Sequence, residues 1–103
     1  MAFKIPKATT PQEVAARLKN GEKLNLLDVR EPDEWASGHV AGAKHIPLGQ
    51  LTERLKELDP SKETIVICRS GNRSGLACEL LSEKGFDVVN MTGGLNAWTE
   101  KLV

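Results

Sequence analysis

The seven residues Cys68-Arg69-Ser70-Gly71-Asn72-Arg73-Ser74 carry the clearest chemistry in the chain. A cysteine closes the aliphatic run Thr64-Ile65-Val66-Ile67, four residues follow, and Arg73 and Ser74 then open an amphipathic stretch. Gly71 permits the positive φ that a tight loop needs, so that successive backbone N–H groups can point inward as an anion-binding nest. The helix predicted to begin near Asn72 or Arg73 adds its unpaired amides and the positive end of its dipole. A Cys68 facing that ring is favoured as the thiolate, the form that attacks; an unperturbed thiol is only roughly 3% ionised at neutral pH. The same donors would hold an anionic leaving group or a charged adduct on sulfur. Arg69 and Arg73 add charge for an oxyanion. The pattern points to a cysteine nucleophile that handles small anions. Cys68 is the expected catalytic residue, and Arg69, Ser70, Gly71, Asn72, Arg73 and Ser74 are the expected substrate-binding loop.

Other residues carry weaker signals. A metal site is not expected, because there is no CxxC pair and His39 and His45 lie in a different segment. Cys78 reads as a small packing or half-exposed residue on a helix leading away from the loop; a redox role is the alternative. Asp28, Arg30 and Glu34 either act in the site or brace it, and bracing is favoured. His39 is expected to pack or to hydrogen-bond, since an ionised Cys68 needs no base, and His45 is assigned no role. Trp35 and Trp98, alongside Phe3 and Phe86, are the chain's four aromatics and are read as core packing.

The elements that must position this loop alternate along the chain. Thr10-Pro11-Gln12-Glu13 has the form of a capping box opening a helix with Val14, Ala15 and Leu18 on its apolar face, ended at Asn20-Gly21. Leu24 to Val29 reads as a buried strand. Pro32 starts a brief helix stopped at Ser37-Gly38, and Ala43 to Ile46 forms a short strand. Leu51, Leu55 and Leu58 predict an amphipathic helix before Pro60. Thr64 to Ile67 is the clearest strand. Leu76, Ala77, Leu80 and Leu81 are read as the apolar stripe of the next helix, which Gly85 ends. Asp87 to Asn90 predicts a last strand and Leu95 to Leu102 a last helix. Alternation of this kind favours a parallel sheet, whose ligands bind beyond the carboxyl ends of the strands. Asp28-Val29-Arg30, the Cys68 loop and Met91-Thr92-Gly93-Gly94 would then gather at one edge.

Composition sets the outer bounds. The 103 residues, 40% hydrophobic and 27% charged, suit one α/β domain over residues 1–103 rather than two domains or a disordered chain. Fourteen basic and fourteen acidic residues cancel, leaving no charge excess to draw nucleic acid or anionic lipid. No apolar run is long enough to span a membrane. Two cysteines are too few for a disulfide scaffold. The opening residues lack the apolar stretch of a signal peptide, so a cytoplasmic location is expected.

Three segments in order resemble the signatures of single-domain rhodaneses, the thiosulfate sulfurtransferases. Asp28-Val29-Arg30-Glu31 with Glu34-Trp35, Gly38-His39-Val40-Ala41-Gly42-Ala43 and Ile46-Pro47 is similar to the first. The Cys68–Ser74 loop resembles the second, and Gly93-Gly94 with Trp98 the third. The resemblance implies a five-stranded parallel sheet flanked by helices on both faces. It implies that Arg30 pairs with an acidic neighbour. It further implies a persulfide on Cys68, formed from a small anionic donor such as thiosulfate and passed to a nucleophile: cyanide in an assay, a thiol or a thioredoxin-like protein in a cell. No metal or organic cofactor is implied. The alternatives are a persulfide carrier serving a dedicated protein partner and, on the same scaffold, a phosphatase or arsenate reductase. Related cysteine phosphatases keep five residues between Cys and Arg, against four here.

Overall fold

The computed structural model describes residues 7–103; Phe3 and the first six residues of the stretch read for a signal peptide lie outside them. Five strands form one sheet in the order β1-β5-β4-β2-β3, every neighbouring pair parallel. They are β1 (Ala8–Thr9), β2 (Asn25–Asp28), β3 (Lys44–His45), β4 (Thr64–Ile67) and β5 (Val88–Met91). Helices α1 (Pro11–Lys19), α2 (Pro32–Ala36) and α3 (Asn72–Glu83) connect them. The fold is thus an α/β, five-stranded parallel sheet with helical layers on both faces.

Alternation along the strands builds those layers. Leu27, Val66, Cys68 and Val88 face one way, into a cluster with Ala77, Cys78 and Leu81 of α3. Leu26, Ile65, Ile67, Val89 and Met91 face the other way, against Val14 of α1 and, more peripherally, Leu95 and Trp98. The central strand β4 is buried at all four positions, as a strand covered on both faces must be. Helix α1 begins as its sequence predicts: Thr10 Oγ1 accepts the Glu13 N–H at 3.1 Å, and Pro11 takes the first turn. Replacing such a cap with alanine typically costs about 1 kcal/mol.

Three local expectations change, and one strand, β1, has no counterpart among them. The Leu51–Leu58 helix is instead two 3-10 turns, Leu48–Glu53 and Leu55–Glu57. Three residues per turn aligns Leu48 with Leu51 and Leu55 with Leu58, and all four pack into the α3-side cluster within the short span between Pro47 and Pro60. The C-terminal helix is only a 3-10 turn, Gly94–Ala97. Beyond it the chain extends, since Val103 and His39 exchange backbone hydrogen bonds at 2.8 and 3.1 Å. The buried stripe of α3 is Ser74, Ala77, Cys78 and Leu81, and Leu76 is 49% exposed. A hydrophobic count overlooks Ser74 and Cys78, whose i, i+4 spacing defines the docked face. Strand β1 is too short to show periodicity; it is made by pairing, with the Asn90 and Thr92 N–H groups donating to the Lys7 and Thr9 carbonyls at 3.0 and 2.9 Å.

Candidate active site

Cys68 follows β4 directly, at the carboxyl edge of the sheet between β2 and β5. Chain order changes direction there, β2 continuing outward to β3 and β4 to β5, which is where open parallel sheets form their crevice. Gly71 takes φ 101° and caps α3, which starts at Asn72. Its N–H donates to Cys68 Sγ at 3.0 Å, and Ser74 Oγ lies 3.3 Å from the same sulfur. Burial pushes the Cys68 thiol up, but the Ser74 hydroxyl and the N–H groups of Ser74, Gly71 and Ser70 outweigh it and leave the thiol below its ordinary value. Cys68 has no exposed surface, while Arg69, Ser70 and Asn72 around it are exposed.

The loop is shaped from behind by the segment after β5. Gly93 and Gly94 take φ 80° and 56°. The N–H groups of Leu95 and Asn96 then donate to the Cys68 and Arg69 carbonyls, each at 2.9 Å. With those carbonyls drawn backward, the loop amides are free to face the sulfur. A Cβ at Gly94 would sit 2.5 Å from the Arg69 carbonyl oxygen and 2.6 Å from that of Cys68, so only glycine allows this approach.

Asp28, Arg30 and Glu34 are joined in one hydrogen-bonded network. Arg30, 5% exposed, grips both Asp28 oxygens, with Nη2 to Oδ2 at 2.8 Å. Its guanidinium also donates to the Glu34 carbonyl within α2 and to the Gly38 carbonyl just beyond it, at 3.2 and 2.8 Å. Glu34 in turn binds Arg73 through two bonds, at 2.5 and 2.8 Å, joining α2 to α3. The Arg73 guanidinium beside it, helped by the Glu31 N–H, holds the Glu34 carboxyl down to about 2 against the opposing effect of burial.

Arg73 is therefore committed to Glu34, which corrects the expectation that it and Arg69 serve the substrate alike. Arg69 is the loop arginine that no carboxylate pairs among the described residues. Trp35 is also corrected: it is half-buried, not core, stacked on His39 at 3.5 Å and on His45 at 4.7 Å between ring centroids. His39 Nδ1 bonds the Trp35 carbonyl at 2.9 Å and His45 Nε2 the Arg30 carbonyl at 2.8 Å, so His39 takes the hydrogen-bonding role expected and His45 gains a structural one. Cys78 is buried, not half-exposed. Asn90, bonded to both Ser74 and Gly71, escaped sequence reasoning. Its only signal is a polar side chain between Val88, Val89 and Met91.

A thiol held in a backbone nest at the edge of a parallel sheet defines a cysteine-loop α/β domain of the kind built for sulfur or oxyanion chemistry. The comparisons with known proteins narrow it: the family model for the rhodanese-like domain matches residues 10–101, and the chain belongs to that family. It is 45% identical over 82 residues to the putative sulfurtransferase YtwF of Bacillus subtilis, covering 80% of each chain. It is 34% identical over 89 residues to the thiosulfate sulfurtransferase GlpE of Pseudomonas putida, covering 85% of this chain and 81% of that one. The crystal structure of a rhodanese-like domain protein from Staphylococcus aureus superposes with a TM-score of 0.90 at 32% identity, over 94% of this chain and 96% of that one.

Proposed function

We propose that this domain transfers sulfane sulfur from thiosulfate to a nucleophilic acceptor through a persulfide on Cys68. The observation that carries the reading is the polar ring around Cys68 Sγ, where the Gly71 N–H donates at 3.0 Å and the Ser74 hydroxyl lies 3.3 Å away. The thiolate attacks the outer sulfur of thiosulfate; the new S–S bond forms as the old one breaks, and sulfite leaves with the electron pair. The product is Cys68–S–S⁻, whose outer sulfur the loop amides can stabilise. Cyanide or a thiolate then attacks that outer sulfur and returns Cys68 to its thiolate. This double displacement predicts ping-pong kinetics and calls for no metal or organic cofactor, since the cysteine itself carries the sulfur. Because Cys68 is covered, sulfur uptake requires the loop around it to part.

Exposed, carboxylate-free Arg69 favours a dianionic donor. A phosphatase reading needs a guanidinium turned into the loop, and Arg73 is held by Glu34 instead. The name of the Pseudomonas relative supports thiosulfate. The acceptor in the cell would be a small thiol or a thioredoxin-like protein. Two free cysteines, one of which must stay reduced to work, suit a reducing compartment such as the cytoplasm. No helix among the described residues is long and apolar enough to cross a membrane.

Intact mass of the reduced protein before and after thiosulfate tests the reading. One added sulfur, about 32 Da, that is lost in Cys68→Ser is the expected result for a covalent intermediate. No gain from a thiol that still alkylates would overturn it, and aryl phosphate and arsenate would be assayed next.

A further inference from the structure

The Ser74 hydroxyl has one proton and two acceptors in reach. Its oxygen lies 3.3 Å from Cys68 Sγ and 2.5 Å from Asn90 Oδ1. The orientation of the Asn90 amide is fixed at its other end, which sits 3.2 Å from the Gly71 carbonyl. That carbonyl only accepts, so the group facing it is the NH2. Asn90 therefore presents its oxygen to Ser74, and the hydroxyl must donate to it. What Ser74 then turns toward the sulfur is a lone pair. This suits the neutral thiol, whose S–H donates to Ser74, and opposes a thiolate, which would face a second acceptor. The ring closes through Gly71, whose N–H bonds Sγ at 3.0 Å and whose carbonyl Asn90 holds.

We propose that Asn90 is a positioning residue that holds the Ser74 hydroxyl proton while Sγ is uncharged and yields it when Sγ ionises. The hydroxyl then turns twice in each cycle. It faces Sγ in the thiolate and returns to Asn90 in the persulfide, whose charge lies on the outer sulfur. The return step rests on the persulfide reading; the first turn concerns only ionisation of Cys68.

The charged and titratable groups packed around Cys68 are few. Helix α3 brings Arg73, paired with Glu34 of α2, and the thiol of Cys78. The loop brings Arg69, β2 ends in the Asp28–Arg30 pair, and the segment of β5 beside the site, Asn90 and Met91, has no ionisable side chain. Cys78 is pushed up to about 11, chiefly by burial, and stays neutral while Cys68 titrates. His39 and His45 bond backbone carbonyls elsewhere, and Cys68→Ser isolates the contribution of the cysteine.

Side-chain amide resonances of Asn90, followed by nitrogen–proton NMR across neutral pH on the otherwise unmodified protein, test the first turn. They are expected to move with the midpoint of Cys68 alkylation, to stop doing so in Cys68→Ser, and to return to their low-pH position after thiosulfate. A double-mutant cycle isolates the role of Ser74. Asn90→Ala is expected to lower the alkylation midpoint by about one pH unit when Ser74 is present, the shift worth one buried acceptor left unpaired. In the Ser74→Ala background it should produce no such lowering. An Asn90 resonance indifferent to Cys68, or equal shifts in both backgrounds, would overturn the proposal. Failure to form the persulfide, with the pH titration intact, would overturn the return step and the proposed function but leave the first turn standing.

Discussion

Cys68 and Cys78 stand ten positions apart, are both buried, and belong to the same core cluster. Their thiols nevertheless move in opposite directions. Cys78 rises to about 11 because burial acts on it with nothing to oppose it, and the nearby Cys68 adds to the effect. Cys68 suffers burial too, yet falls below its ordinary value. What separates them is the state of the surrounding amides. Within α3 the N–H groups around Cys78 are spent on the helix ladder, whereas those of Ser70, Gly71 and Ser74 lie in the loop and first turn, where no carbonyl claims them. Burial alone makes a cysteine inert; burial among unspent donors makes it a nucleophile.

The sharpest way to break this contrast is alkylation of each thiol as a function of pH. A lowered pKa means that Cys68 ionises earlier on raising pH, so its rate should level off at lower pH than that of an ordinary thiol. With Cys78 at about 11, only about one such thiol in a thousand is ionised at pH 8. Peptide mapping at pH 8 should therefore show Cys68 reacting at least on the order of 100-fold faster; similar rates would remove the distinction.

Gly94→Ala attacks the clamp that frees the loop amides. Its methyl group would displace the Cys68 and Arg69 carbonyls, and turnover in a thiosulfate:cyanide assay should drop about 100-fold, the cost of a misplacement on the order of 1 Å. Unchanged turnover would show that the nest does not depend on this clamp.

The two loop arginines should separate as well. Arg69→Ala is expected to raise KM for thiosulfate about tenfold, as loss of one charge-assisted contact does. Arg73→Ala should instead lower stability by at most about 1 kcal/mol, since its pair with Glu34 is partly exposed. Below the ordinary Glu34 value of 4.5 that difference should fade as pH drops toward about 2. The Glu34 carboxylate, whose folded pKa is depressed, contributes stability above its unfolded pKa and loses it on protonation. Equal KM effects from both arginines would return Arg73 to the substrate.

The smallest effect belongs to Cys78→Ser, which should leave turnover within about twofold, as expected for a residue outside the reacting groups. A large loss would make Cys78 a partner of Cys68.

Much of this was legible in the sequence because it rests on local rules. The Thr10-Pro11-Gln12-Glu13 cap, the aliphatic run of β4 and the left-handed Gly71 after Cys68 each depend on residues close in the chain. So do the helix start at Asn72 and the grouping of the loop amides. What could not be read depends on partners far away in sequence. Arg73 is taken from the substrate by Glu34, thirty-nine positions earlier. Asn90 enters the site only because β5 lies beside β4, and β1 exists only as a partner of β5. Leu76 was misplaced, and the face of α3 is set by Ser74 and Cys78, neither of which a hydrophobicity count selects.

Sequence alone determined the proposed nucleophile and the backbone amides that face it, because a loop between a buried strand and a helix start leaves its own amides unpaired. Tertiary structure decided which charges remain for a substrate and which acceptor holds the Ser74 proton. Ion pairs and hydrogen bonds between side chains depend on distances that only the packed sheet and helices set.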